Sequence, residues 1–268
     1  MKRILAIALA AAFVAVTAPS VRADDADDKA LVPEKDVPGK FTANVGLTSD
    51  YLFRGISQTD DSPAIQGGFD WSLDSLAGTP IGLYAGVWGS NVNFHSATGN
   101  SLETDWYGGF QGTVSPGGQD ITWKLGYLWY QYFRAPKNSN MDYGEIQAAL
   151  GHDFGPAALT VSYAYSANFF GGSGDAHWVS AKVDIPIWKF TLSPTAGHQS
   201  IEKNAVFGIP DYWQYGAALT TKVAGFDMSV AVSDTDVSSS KCNVSGGVAI
   251  GPSDACDVNV IFTVSRTF

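Results

Sequence analysis

The sequence predicts an all-β protein, a transmembrane antiparallel up-and-down β-barrel of about 12 strands. Three observations carry that prediction. Apolar and polar residues alternate with a period of two from Phe41 to Phe268, which places the two sets on opposite faces of a strand. The strand-like runs are even in number and joined alternately by short turns and long loops, the plan of a membrane barrel. The composition pairs 29 Gly and 8 Trp, 11 Tyr and 15 Phe with a charged fraction of only 16%, where soluble domains average about 25% charge and roughly 7% Gly.

The first 23 residues stand apart. Lys2 and Arg3 precede an uncharged apolar run over residues 4–18, and Val21-Arg22-Ala23 supplies residues a signal peptidase tolerates. This is the pattern of a secretory signal peptide cleaved after Ala23. As a membrane anchor the run is too short, because a spanning helix needs about 20 apolar residues. Residues 24–40, acidic and carrying Pro33 and Pro38, are too polar for a strand and read as a flexible periplasmic lead-in or a short lumen plug. The barrel itself occupies residues 41–268.

Strand runs follow at 41–52, 64–73, 81–94, 101–114, 119–132, 143–153, 157–168, 176–186, 190–201, 212–223, 226–236 and 256–268. In the fifth, Ile121, Trp123, Leu125, Tyr127 and Trp129 all fall on one parity. In the seventh, Leu159, Val161, Tyr163 and Tyr165 alternate with Thr160, Ser162, Ala164 and Ser166. The lengths suit tilted spanning strands of roughly 9–11 residues. Short turns at 76–80, 115–118, 154–156, 188–189 and 224–225 alternate with longer loops at 54–63, 136–142, 202–211 and 237–255. Strand-end aromatics (Trp71, Trp106, Trp123, Trp129, Trp178, Trp213) suit an interfacial belt. The competing fold, a soluble barrel or sandwich, turns the apolar parity inward, and parity alone does not separate the two. The terminal Phe268 suits recognition by the outer-membrane barrel assembly machinery. Arg266 breaks the apolar parity of Val264 and Phe268, and at a membrane boundary it can snorkel.

Charge excludes a class of partner. Without Lys2, Arg3 and Arg22 the chain holds 13 basic and 26 acidic residues, a formal −13. That sign disfavours binding to a phosphate backbone, so no nucleic acid is expected. Cys242 and Cys256, separated by Gly, Ser, Pro and Asp, most simply close one disulfide in an oxidising compartment. A two-cysteine metal site lacks a histidine nearby. Neither a metal nor a cofactor is expected.

The run Thr48-Ser49-Asp50-Tyr51-Leu52-Phe53-Arg54-Gly55-Ile56-Ser57-Gln58-Thr59, followed by residues 63–70, resembles the opening of the proteobacterial TorF porin family, and the likeness extends to residues 262–268. The resemblance implies a location in the outer membrane of a Gram-negative cell and a channel role. It supplies neither a substrate nor catalytic residues.

If the polar parity faces a lumen, Asp50, Asp70, Glu103, Asp105, Glu145, Asp184 and Asp227 line it against Lys124, Lys182 and Lys222. Seven acids and three bases leave the wall net negative, which favours cations. The expectation is therefore a channel for small hydrophilic solutes with a mild cation preference, embedded in outer-membrane lipid. The alternatives are a non-conducting structural or adhesive barrel, in which these charges pair across the lumen, and more remotely a lipid hydrolase. Tyr84, Trp88, Tyr107 and Tyr130 share the inner parity and would narrow the passage. Arg54 is expected at the pore mouth, as a contact for anionic solute or lipid or, more simply, paired with Asp50 or the Asp60-Asp61 acids. If the turn between strands eight and nine is centred on Ile187 and Trp188, His177 and His198 lie opposite each other, with Ser200 nearby. A Ser–His pair needs a third group to orient it, and none is evident on that parity, so no catalytic residue is assigned. Asn243-Val244-Ser245 matches a glycosylation acceptor by chance.

Overall fold

A computed structural model describes residues 38–94, 101–136, 139–242, 244–245, 248–249 and 254–268. The signal peptide, most of the lead-in and Asn243 lie outside the described residues. Twelve long strands alternate along the chain: β1 Lys40–Thr48, β2 Ala64–Leu73, β3 Ile81–Asn91, β4 Leu102–Val114, β5 Ile121–Tyr132, β6 Tyr143–Asp153, β7 Ala158–Ser166, β8 Ala176–Ile187, β9 Phe190–Ile201, β10 Tyr212–Val223, β11 Phe226–Thr235 and β12 Asn259–Thr267. Each pairs antiparallel with its sequence neighbours, and β12 returns to β1, closing the barrel. The seam runs from Asn44 opposite Thr267 to Thr48 opposite Thr263. Two further bonds, Ala43 N to Phe268 O at 3.1 Å and Phe268 N to Ala43 O at 2.8 Å, continue it to the last residue. Closure leaves no unpaired edge, the condition for a sheet in hydrocarbon.

The burial pattern decides which face meets lipid. Leu47, Ile65, Phe69, Leu150 and Phe262 are all 59–65% exposed and point outward, whereas Glu103, Asp105 and Glu145 are at most 1% exposed. A soluble protein rarely exposes contiguous apolar patches above a few hundred Å², and here the apolar parity covers the outside of the ring. This is a transmembrane barrel. Trp106, Trp129 and Trp213 belong to that outer face. Trp178 does not: expected in the aromatic belt, it is buried and lies over Arg54 inside the barrel.

The short turns are tight. Val223 pairs with Phe226 across Ala224 (φ 50°) and Gly225 (φ 81°), both left-handed, the pattern of a type I′ hairpin matched to strand twist. Ile187 pairs with Phe190, so the turn between β8 and β9 is Trp188-Lys189. The register therefore differs by two from a turn centred on Ile187 and Trp188. His177 faces Ser200, and His198 faces Val179.

The first strand ends sooner than its alternation suggests. It stops at Thr48, and the next residues turn into the lumen, where Leu52–Phe53 and Ile56–Ser57 form a small hairpin of their own. The cause is composition. Tyr51, Leu52 and Ile56 are apolar or aromatic and are at most 6% exposed inside the barrel, whereas an external loop would leave them in water. The segment following β7 behaves alike, with Phe169 and Phe170 buried, as are Phe207 and Ile209 between β9 and β10.

Candidate functional site: the lumen and its inner hairpin

The inner hairpin is built from the run over residues 48–59. Asp50 anchors its base: Oδ1 accepts from Ser57 Oγ at 2.8 Å and Thr59 Oγ1 at 2.7 Å, and Oδ2 accepts from Asn259 Nδ2 at 2.6 Å. Burial raises the Asp50 carboxyl above its ordinary range despite these donors. The same Asn259 amide donates to Asp61 Oδ1 at 2.8 Å. Asp61 is raised too, by burial and then by the charges of Asp50, Asp254 and Asp60. Ser57 N donates to Ala255 O at 2.9 Å, which ties the hairpin to the residue before Cys256.

At the tip, Phe53 pairs with Ile56 across Arg54 (φ 51°) and Gly55 (φ 88°). Two successive left-handed residues again make a type I′ turn. Gly55 is required twice over, because a Cβ there would also stand 2.8 Å from Gln214 Cγ and Thr235 Cγ2. Arg54 has no such freedom, and a left-handed non-glycine residue costs about 1–2 kcal/mol. Its guanidinium makes contacts that offset that cost. Nη2 donates to Glu145 Oε1 at 2.8 Å and Oε2 at 2.7 Å, and Nη1 donates to Gln199 Oε1 at 2.6 Å. Aromatic rings complete the enclosure: Cζ lies 4.6 Å from the Phe53 centroid, 5.2 Å from Trp178 and 5.9 Å from Phe169.

Arg54 is therefore not at the mouth, and its partner is neither Asp50 nor the Asp60-Asp61 pair. It lies inside, 5% exposed, against a carboxylate that is 1% exposed. A charge so far from water needs both a counter-ion and satisfied hydrogen bonds, and Glu145 of β6 with Gln199 of β9 supplies them. Glu145 also accepts from Tyr130 OH at 3.1 Å and Gln147 Nε2 at 3.2 Å.

The other inward acids are arranged around this latch. Tyr51 OH donates to Glu103 Oε1 at 2.6 Å. Asp105, two residues along β4, is fully buried, and neither carboxylate oxygen has a hydrogen-bond partner among the described residues. Stacked and edge-on rings fill the surrounding space, with Tyr130 and Tyr143 centroids 4.4 Å apart and Tyr143 and Phe169 4.8 Å apart. The long-loop half of the barrel is thus packed with side chains.

Towards the short-turn end the charges pair along the wall. Lys182 Nζ is 2.9 Å from Asp184 Oδ2, whose partner oxygen accepts from Ser193 Oγ at 2.6 Å. Lys222 Nζ is 3.7 Å from Asp227 Oδ1 on the next strand. Tyr107 OH donates to Asp70, and Lys124 Nζ lies 5.1 Å over the Tyr84 ring. The pair that reaches across the lumen is Arg54–Glu145, which joins the inner hairpin to β6.

Cys242 and Cys256 form a disulfide, both fully buried. On the outer face, His177 Nδ1 is 2.7 Å from Tyr163 OH, so the ring facing Ser200 is held by a phenol.

Residues 33–268 match a family of bacterial proteins of unknown function. The chain belongs to the Gcw_chp family. That family covers the barrel and the approach to it, so the inner hairpin and its latch fall within the matched span. No curated protein matches the chain. Among solved structures, the NanC porin is similar at 11% identity and a TM-score of 0.49, over 85% of this chain and 98% of that one. An outer membrane channel from Pseudomonas putida F1 is similar at 12% identity and 0.45, over 92% and 100%. LpxR from Salmonella typhimurium is similar at 8% identity and 0.43, over 85% and 99%. The barrel is established by its own strand pairing.

The residues that parity did not single out are Tyr51, Phe169, Trp178 and Gln199. Tyr51 lay within the run over 41–52 and so read as a strand residue, and Phe169 stood beside a glycine-rich stretch that reads as loop. Gln199 carried no signal, because a polar residue on the inner parity of a strand is ordinary.

Proposed function

We propose that this chain is an outer-membrane channel of the porin kind, passing small hydrophilic solutes with a mild preference for cations. In this reading it is exported by the signal peptide at residues 1–23, seated in outer-membrane lipid and inserted through recognition of Phe268. The observation that carries the reading is the inward set of charges. Asp50, Asp70, Glu103, Asp105, Glu145, Asp184 and Asp227 outnumber Lys124, Lys182, Lys222 and Arg54, and an acidic wall in a low-dielectric tube favours cations. The TorF resemblance over residues 48–59 supports the same role. In this reading the inner hairpin narrows the passage at its long-loop end.

A second reading, a non-conducting structural or adhesive barrel, is favoured by the packed long-loop half, where Tyr130 is fully buried. The register sets His177 opposite Ser200 on the outer face, and the His177 ring is held by the Tyr163 phenol in place of the carboxylate a Ser–His pair would use. Planar-bilayer recording of the refolded protein under ion-substituted gradients separates these. Discrete steps with a cation-selective reversal potential are expected. Anion selectivity at neutral pH would overturn the selectivity, and an absence of steps in both the native protein and latch variants would overturn the channel.

A further inference from the structure

Arg54 is one half of an ion pair, and the place it occupies is itself a built feature of the barrel. That place presents both oxygens of Glu145 and the amide oxygen of Gln199 to one planar group, from two different strands. Trp178 and Phe169 lie against the same group, their centroids 5.2 and 5.9 Å from Cζ. A bidentate carboxylate, a further acceptor and aromatic faces are what a guanidinium needs when it leaves water. The acceptors belong to the barrel wall, and the occupant belongs to a hairpin that follows β1.

We propose that the wall residues Glu145, Gln199 and Trp178, with Phe169 from the segment following β7, form a binding site for guanidinium-type cations, and that Arg54 is its tethered resident. Occupancy by Arg54 holds the inner hairpin in the lumen. A free cation of the same chemistry competes for the position, and when it wins the hairpin loses its inner anchor while Asp50 still holds its base. The electrical consequence rests on the channel reading. The site itself does not.

The test uses the full-length barrel with Arg54→Ala, which empties the position and leaves its wall intact. Guanidinium ion at low millimolar concentration is the probe, against sodium and tetramethylammonium at equal ionic strength. Guanidinium is expected to raise the temperature at which the variant's folded band is lost, saturably, and to change Trp178 fluorescence, while the two controls do neither. Glu145→Gln combined with Arg54→Ala is expected to weaken guanidinium binding about tenfold or more, the loss of a charge-assisted contact. Where Arg54→Ala refolds poorly, guanidinium in the refolding buffer is expected to restore its yield, and to do nothing for the double variant. Equal effects of guanidinium and sodium, or retention of the effect in the double variant, overturn the site. In bilayers, Arg54→Ala is expected to conduct more than the native chain and guanidinium to alter that current. A silent variant that still binds guanidinium overturns the channel reading and leaves the site standing. A conducting variant indifferent to guanidinium does the reverse.

Discussion

Arg54 and Glu145 stand 91 residues apart in the chain and meet through two bonds of 2.8 and 2.7 Å. Between them lie four complete barrel strands, so no local preference brings them together. The contact exists because the sheet curves round on itself and because the Phe53–Ile56 hairpin points its tip across the lumen.

Removing one member of this pair leaves the other charge buried and uncompensated. Glu145→Gln is expected to cost about 3–5 kcal/mol, read as a lower temperature for loss of the folded electrophoretic band. Arg54→Lys should be intermediate, since an ammonium cannot serve Glu145 and Gln199 as a planar fork does. Equal stability of all three proteins would contradict the latch.

Gly55→Ala tests the tip. Its φ of 88° and a would-be Cβ 2.8 Å from Gln214 and Thr235 combine strain with overlap. A cost of about 1–3 kcal/mol is expected, and limited proteolysis should cut within residues 52–57 while the strands remain protected. Unchanged protection of the hairpin would show that the tip tolerates a side chain.

Much of this architecture was open to inspection in the sequence. Strict alternation in β5 and β7 sorts the residues into two faces, because a shift of one position would exchange them; which face meets lipid came from the turn and loop pattern and the composition. The wall acids could be named for the same reason. The tip contact was hidden, because Arg54 pairs with a residue four strands away and periodicity carries no information on contacts across a lumen. The turn at 188–189 was legible, and with it the pairing of His177 with Ser200; centring it on Ile187 and Trp188 shifts the register by two and sets His177 opposite His198. Phe169 and Phe170 were obscured by the glycines beside them, which read as loop.

Acidity should act on the hairpin's base. Asp50 and Asp61 are both raised above the ordinary carboxylate value, chiefly by burial. A group raised in the folded state contributes stability that is present when protonated and lost as pH climbs through the folded pKa. Slower hydrogen exchange is therefore expected at the Ser57 and Gln58 amides near pH 4 than near neutrality, after correction for intrinsic rates. Asp61→Asn should flatten the trend, and exchange that slows as pH rises would refute it.

The disulfide should matter locally. Cys242 and Cys256 are 14 residues apart, and closing a loop of that size is worth about 3 kcal/mol in the chain-entropy model. Because Ala255 O accepts from Ser57 N, replacing both cysteines by serine should speed exchange at Ser57 more than at the strand amides. Uniform change across the barrel would argue against this coupling.

The seam between β1 and β12 has a consequence for the order of assembly. The hairpin follows β1 directly, so it emerges among the first segments of the barrel, and Glu145 follows it well before the final strand. A curved, still-open sheet running from β1 to β9 already contains Arg54, Glu145 and Gln199. The stopper can thus be seated while the cylinder is a trough, and the pairing of Phe268 with Ala43 shuts the wall around something already in place.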